Sequence, residues 1–213
     1  IKEIMTEITI RKIYELVFFE GKINKKECVL VECGVGKVNS SRTTQILIDK
    51  FEIEYIINVG SAATANDNLD IGDIVLGKDL IQHDFDITAF GHPKGYISNI
   101  GVKVQSDKEL INKFEEATKK IEQRNYKIKI GTIASGDIFC TEIKMKQKIN
   151  SKFNADAIEM EGAAIAQVCH LDKVPFIIVR SISYNPNGNN NITFDEYLEL
   201  AAKRCSEILK NVI

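Results

Sequence analysis

Two carboxylates separated by one methionine, Glu159-Met160-Glu161, stand at the end of a short apolar run in AIEMEGAA (157–164), directly before a small-residue helix expected over 162–172. Residues two apart in an extended segment share a side, so both carboxylates are expected to point the same way. Burying two neighbouring carboxylates is costly unless each is hydrogen-bonded. The vicinal hydroxyls of a ribose are suitable donors. The competing arrangement is a salt bridge with Arg180, which sits among apolar residues in VRSIS (179–183) and for which Glu161 is the expected partner.

Two further segments carry small residues where a ligand could approach backbone. GVGKVN (34–39) is a glycine-rich turn between a strand and a helix. It lacks the third glycine of a dinucleotide fingerprint and the spacing of a P-loop, so tight strand–helix packing is an equally good reading. NVGSAAT (58–64) runs from an apolar strand into small side chains, the end of a strand where open α/β sheets bind ligands. His83, His92 and His170 show no metal-ligand spacing, so neither a metal nor a cofactor is expected.

The elements that must position these groups alternate. Strands are expected at 28–33, 55–59, 73–77, 128–134 and 175–181, several apolar on both faces. Helices are expected over 38–51 and 162–172, after a capping box at Ser106 and Glu109, and after a second at Thr193 and Glu196. This alternation predicts an α/β fold with a largely parallel sheet and helices on both sides. YNPNGNNNI (184–192) reads as a loop, either a mobile lid or an ordinary connection.

With 213 residues, 44% hydrophobic and 27% charged, the chain suits one domain spanning 1–213. A formal net charge of -2 leaves no basic excess for a nucleic-acid surface. The apolar runs fall short of the roughly 20 residues that span a bilayer, so no membrane partner is expected. Five cysteines without a CxxC pair read as reduced thiols in a cytoplasmic protein. No signal peptide is visible, and a start at Ile1 rather than Met leads us to expect further N-terminal sequence.

Taken together, GVGKV (34–38), YIINVGSA (55–62), IGDIV (71–75), HDFDITAFG (83–91), ASGDIF (134–139), AIEMEGAAIAQVCH (157–170), VPFIIVRSIS (174–183) and TFDEYL (193–198) resemble the bacterial 5′-methylthioadenosine/S-adenosylhomocysteine nucleosidases, in order and over essentially the whole chain. The resemblance implies a three-layer, Rossmann-like α/β domain of the nucleoside phosphorylase type with a central mixed sheet flanked by helices. It also implies a homodimer that hydrolyses the adenine–ribose bond of an adenine nucleoside. Carried over, Phe139 stacks on adenine, backbone at Cys140 reads its edge, Met160 lies under the ribose and Glu161 binds its hydroxyls. Arg180, Glu161 and Ser61 place the attacking water. Ala62, Ala63, Glu159 and Ser183 complete the pocket, Val35 and Phe194 line the alkylthio side, and Ile87, Phe90 and His92 reach a partner subunit's pocket.

The resemblance breaks in three places. The family's general acid, an aspartate directly after RSIS, is Tyr184 here, and a phenol is a much weaker acid than a carboxylic acid. Loss of a general acid commonly costs on the order of 10² to 10⁴ in rate. The family's opening strand and its water-holding glutamate have no counterpart, because Ile1 falls just after them; Glu3 is not promoted to that role. Ala63–Thr64 replaces a glycine. A catalytically impaired nucleoside-binding relative is therefore the alternative. A purine nucleoside phosphorylase is the weaker one, since only Arg42 and Arg180 lie near the site segments.

Overall fold

The computed structural model describes residues 1–121, 125–186 and 194–213, with side chains left aside over 194–198. The chain opens with a three-stranded antiparallel sheet, β1 (Thr6–Ile13), β2 (Leu16–Ile23) and β3 (Lys26–Val31), in that order. Its tight turns place Tyr14, Asn24 and Lys25 at positive φ. The sequence reading found only β3. The first two strands were hidden because β1 is largely exposed and charge-rich, and neither turn carries the Asn-Gly signal of a hairpin.

The remaining elements are α1 (Lys37–Lys50), β4 (Ile56–Thr64), β5 (Ile74–Gln82), β6 (Val104–Gln105), α2 (Lys108–Lys119), β7 (Ile128–Ser135), α3 (Ile143–Phe153), β8 (Ala157–Glu159), α4 (Gly162–Asp172), β9 (Phe176–Tyr184) and α5 (Phe194–Val212). The second sheet has the order β6-β5-β7-β8-β4-β9, and an antiparallel β5–β9 pairing closes it on itself. Only β4/β9, β5/β7 and β7/β8 are parallel; β5/β6 and β4/β8 are antiparallel. The sheet is mixed, not largely parallel. Alternation of strands and helices says nothing about a pairing such as β5–β9 that closes a sheet.

Closure explains why β9, FIIVRSISY, is buried along nearly its whole length. Its alternate side chains feed two cores. Ile177 and Val179 join Ile74 and Leu76 under Leu110 and Phe114 of α2 and Ile208 and Leu209 of α5. Ile178 and Ile182 join Val75 and Leu80 under Ala163, Ile165 and Ala166 of α4. Helices thus cover both faces, giving three layers. The alanines of α4 keep that helix close to the strands, which matters for the site at its N-terminus. Between β3 and β4 runs an open groove of about 1200 Å³, lined by residues 28–31 and 55–59, and no described strand fills it.

The capping box expected at Ser106 and Glu109 is displaced by one residue. Asp107 is the N-cap of α2 and its carboxylate accepts the Leu110 N–H at 2.9 Å. The Ser106 hydroxyl is buried and has no hydrogen-bond partner among the described residues. Thr193 and the side chain of Glu196 of the second expected box, and residues 187–192 of the expected loop, lie outside what is described. Asp107→Ala should lower stability by about 0.5–2 kcal/mol. Ser106→Ala should leave stability unchanged or raise it, because the hydroxyl it removes is buried and unsatisfied. Urea unfolding of the two variants distinguishes this cap from the one read off the sequence.

Candidate functional site

A cavity of about 200 Å³ opens where β4, β8 and β9 and the loop after β7 end together. Strand β4 contributes Ser61, Ala62 and Ala63, and β9 contributes Ser183 and Tyr184. Pairing of β4 with β9 slips by one residue, with Ala62 opposite Ile182 but Ala63 opposite Tyr184. Such a bulge re-aims side chains at the rim of a sheet. The loop after β7 brings Phe139 and Cys140, the turn before α1 brings Val35, and the β8–α4 junction brings Glu159, Met160 and Glu161. Ile138 and Ile158 also line the cavity and were not singled out in the sequence. The Phe139 and Tyr184 rings lie 5.9 Å apart, tilted by 41°, at one end.

The two carboxylates do not share a side. Period-two alternation ends with β8 at Glu159, and the backbone turns at Glu161 (φ -131°, ψ -43°), the N-cap of α4. Glu159 points inward and is saturated. It accepts from Arg180 Nε at 3.1 Å and from Arg180 Nη2, from the Ser135 hydroxyl, from Glu161 N–H at 3.0 Å and from Gly162 N–H at 2.8 Å. With Ser135 Oγ taking the Ala163 N–H at 2.7 Å, the first amides of α4 are satisfied from within the sheet. Burial pushes the Glu159 carboxyl up, but the Arg180 guanidinium, the Ser135 hydroxyl and the Gly162 amide outweigh it, and the group is held below its usual range.

Arg180 therefore pairs chiefly with Glu159, not with Glu161 as expected; its Nη2 stands 3.9 Å from Glu161 Oε2. Arg180 is fully buried behind the cavity wall and does not line it. Gly60 makes room for it, since a Cβ there would stand 3.1 Å from Nη1. Glu161 is the freer carboxylate. It accepts the Gly36 N–H at 2.8 Å, and its side chain keeps 17% exposure on the cavity wall. Burial raises its pKa and the neighbouring Glu159 adds to that, while the Gly36 amide and Arg180 pull the other way. The arrangement offers an acceptor with spare lone pairs beside a buried, neutralised ion pair, which suits vicinal hydroxyls.

Phe194 begins α5, but its side chain lies outside those described. Ile87, Phe90 and His92 are not on this cavity. Phe90 closes the short turn Thr88–Phe90 and is 82% exposed, and the His92 ring stacks on Tyr96 at 4.4 Å. Sequence reasoning missed Ser135, the Gly36 N–H, and the ion pairs of Lys37 with Asp84 and Asp137 around it. The only signal available was the polar residues inside HDFD and SGDIF. Among the described residues, no group of three or more His, Cys, Asp or Glu could hold a metal ion.

Glu159→Gln should cost about 3–5 kcal/mol, because it strands the Arg180 charge in the interior. The sign with pH follows from the lowered pKa. The stabilisation is complete above the ordinary carboxyl value of 4.5 and is lost as pH falls through the lower folded value. In unfolding curves collected from neutral pH downward, the gap between native and variant chains should therefore narrow only below about pH 4.5.

The family description "Phosphorylase superfamily" matches residues 2–213. The chain is 40% identical over 214 aligned positions to the 5′-methylthioadenosine/S-adenosylhomocysteine nucleosidase of Staphylococcus haemolyticus, covering 100% of this chain and 92% of that one. The solved structure of such a nucleosidase from Colwellia psychrerythraea 34H in complex with adenine superposes with a TM-score of 0.92 at 34% identity, covering 99% of this chain and 87% of that one. A futalosine hydrolase mutant from Helicobacter pylori superposes with a TM-score of 0.89 at 31% identity, covering 99% and 90%.

Proposed function

This chain belongs to the phosphorylase superfamily and, within it, to the 5′-methylthioadenosine/S-adenosylhomocysteine nucleosidases, N-glycosyl hydrolases, and from that membership we propose that it hydrolyses the N-glycosidic bond of those two nucleosides and releases adenine. The observation that carries this reading is Glu161, a cavity carboxylate that the Gly36 amide holds from one side. In the reaction, Glu161 takes the ribose 2′- and 3′-hydroxyls and stabilises the oxocarbenium character that develops as the bond to adenine lengthens. Met160 lies beneath the sugar. Phe139 stacks on the purine, and the Cys140 backbone reads its edge. Ala62, Ala63 and Ser183 shape the wall, while Val35 and Phe194 receive the 5′-thio group. Ser61 and Glu161 hold the water. Arg180 acts from behind the wall as the countercharge of Glu159, and both serve to position Glu161.

Adenine leaves readily only when N7 is protonated. Tyr184 occupies that end of the cavity and can donate a hydrogen bond, but its phenol is a poor proton source. That observation favours a second reading, a slowed or substantially inactive nucleoside-binding relative. Phosphorolysis has less support, because Arg42 is paired with Glu15 at the surface rather than gathered with Arg180.

Adenine released from 5′-methylthioadenosine in phosphate-free buffer, followed by chromatography, tests the reading. Glu161→Gln should reduce release by about 10²–10³-fold, and Tyr184→Asp should raise it by on the order of 10²–10⁴-fold. A requirement for phosphate would make the chain a phosphorylase. Tight nucleoside binding with no release from either the native chain or Tyr184→Asp would make it a binding relative for a reason other than position 184.

We also propose a homodimer in a cytoplasmic setting, with Ile87, Phe90 and His92 completing the partner's pocket. An exposed phenylalanine at a turn tip supports this. Phe90→Asp should shift the chain to monomer in sedimentation velocity and raise KM more than it lowers kcat. A native chain that sediments as a monomer would remove the proposal.

A further inference from the structure

The Gly36 N–H that holds Glu161 belongs to an exposed turn, and a turn of that kind holds a donor only if something holds the turn. Gly36 has φ +91°, open to glycine alone at low cost, and it is the N-cap of α1. The next amide, Lys37 N–H, donates to Asp137 Oδ1 at 2.8 Å. The N-cap amide and the first amide of α1 are thus taken by carboxylates from two other elements, Glu161 before α4 and Asp137 after β7.

The Lys37 side chain completes a ring. Its Nζ lies 2.8 Å from Asp84 Oδ1, 3.3 Å from Gln82 Oε1 and 3.7 Å from Asp137 Oδ2. Asp84 Oδ2 in turn accepts the Asp137 N–H at 2.9 Å. Lys37 and Asp84 are each only 19% exposed, which makes this contact stronger than a surface ion pair. Burial pushes the Asp84 carboxyl up, but the Lys37 hydrogen bond and the Asp137 amide pull it below its usual range. The ring joins the turn that carries Val35 and Gly36 to the loop that carries Ile138 and Phe139, and Val35, Ile138 and Phe139 all line the cavity.

We infer that Lys37, clamped between Asp84 and Asp137, is a positioning residue for this site: it fixes the 34–37 turn, and the loop after β7 against it, so that the Gly36 N–H stays on Glu161. The inference rests on the reading of Glu161 as the acceptor of the sugar hydroxyls. Loosening the clamp withdraws a donor from a carboxylate that burial already disfavours in its charged form. The other groups facing Glu161 are Glu159 from β8, Arg180 from β9 and Cys33 ahead of α1, and none of them belongs to the clamp. His83, which feels the charges of Asp84 and Lys37, is a further titratable neighbour of the ring.

The test is the titration midpoint of Glu161, read by carbon-13 NMR of the side-chain carboxyls and assigned by its absence in Glu161→Gln; it needs no turnover. Lys37→Met should raise the midpoint by about one unit and lower kcat/KM at neutral pH by about tenfold, with the acid limb of the profile moving up in step. Asp137→Ala separates positioning from simple charge. Removing a negative charge nearby would by itself lower the midpoint, whereas loss of the clamp raises it. Asp137 is half exposed, so this variant should fold even if Lys37→Met does not. Lys37→Arg, which keeps the charge, should bring the midpoint back toward native, and Lys203→Met, a distant charge loss, should leave it unmoved. A midpoint that stays or falls in Asp137→Ala overturns the inference. If Glu161→Gln leaves nucleoside binding intact while Asp137→Ala still raises the midpoint, the clamp stands and the assignment of Glu161 to the sugar fails instead.

Discussion

The site depends on one buried ion pair. Arg180 and Glu159 would each be prohibitive to bury alone, and together they are tolerated only because every remaining oxygen and nitrogen finds a partner. Glu159 spends its two oxygens on the guanidinium, on Ser135 and on the amides that begin α4. Arg180 spends Nη1 on the Val179 carbonyl. The pair therefore ties the middle of β9 to the end of β8 and to the start of α4. Where it sits decides where Glu161 can be.

Several choices of sequence read as consequences of that pair. Gly60 opposite the guanidinium and the alanines of α4 let charged groups and helix backbone approach the sheet closely. Pairing of β9 with β4 on one edge and β5 on the other, together with helices over both faces, removes water from around the strand that carries Arg180. In that dry setting a hydrogen bond from one backbone amide, Gly36 N–H, weighs heavily on the charge state of Glu161. A glycine-rich turn that looks incidental in the sequence becomes part of the electrostatics of the cavity.

The position of Tyr184 belongs to the same logic. It follows immediately on a bulge between β4 and β9, and its ring lies beside Phe139 at one end of the cavity.

Much of this was legible beforehand. Long, doubly apolar runs such as PFIIVRS and YIINV declare buried strands, and the segments at 58–64, 157–164 and 179–183 were singled out for chemistry and do converge on one cavity. Local pattern carries that much because hydrophobic periodicity and small-residue turns are properties of neighbours in the chain. It did not reveal the β1–β2 hairpin, whose exposed, charged strands lack such a pattern, nor the antiparallel closure of the sheet. It also gave Arg180 to Glu161, which stands 3.9 Å away, and missed Glu159 as the chief partner. Residues 159 and 161 are equivalent by spacing, and only the turn from β8 into α4 sends one inward to the guanidinium and leaves the other at the cavity. Which of two like charges is buried is settled by the position of distant donors, here Ser135 and Gly36, and those meet the carboxylates only once the chain has folded.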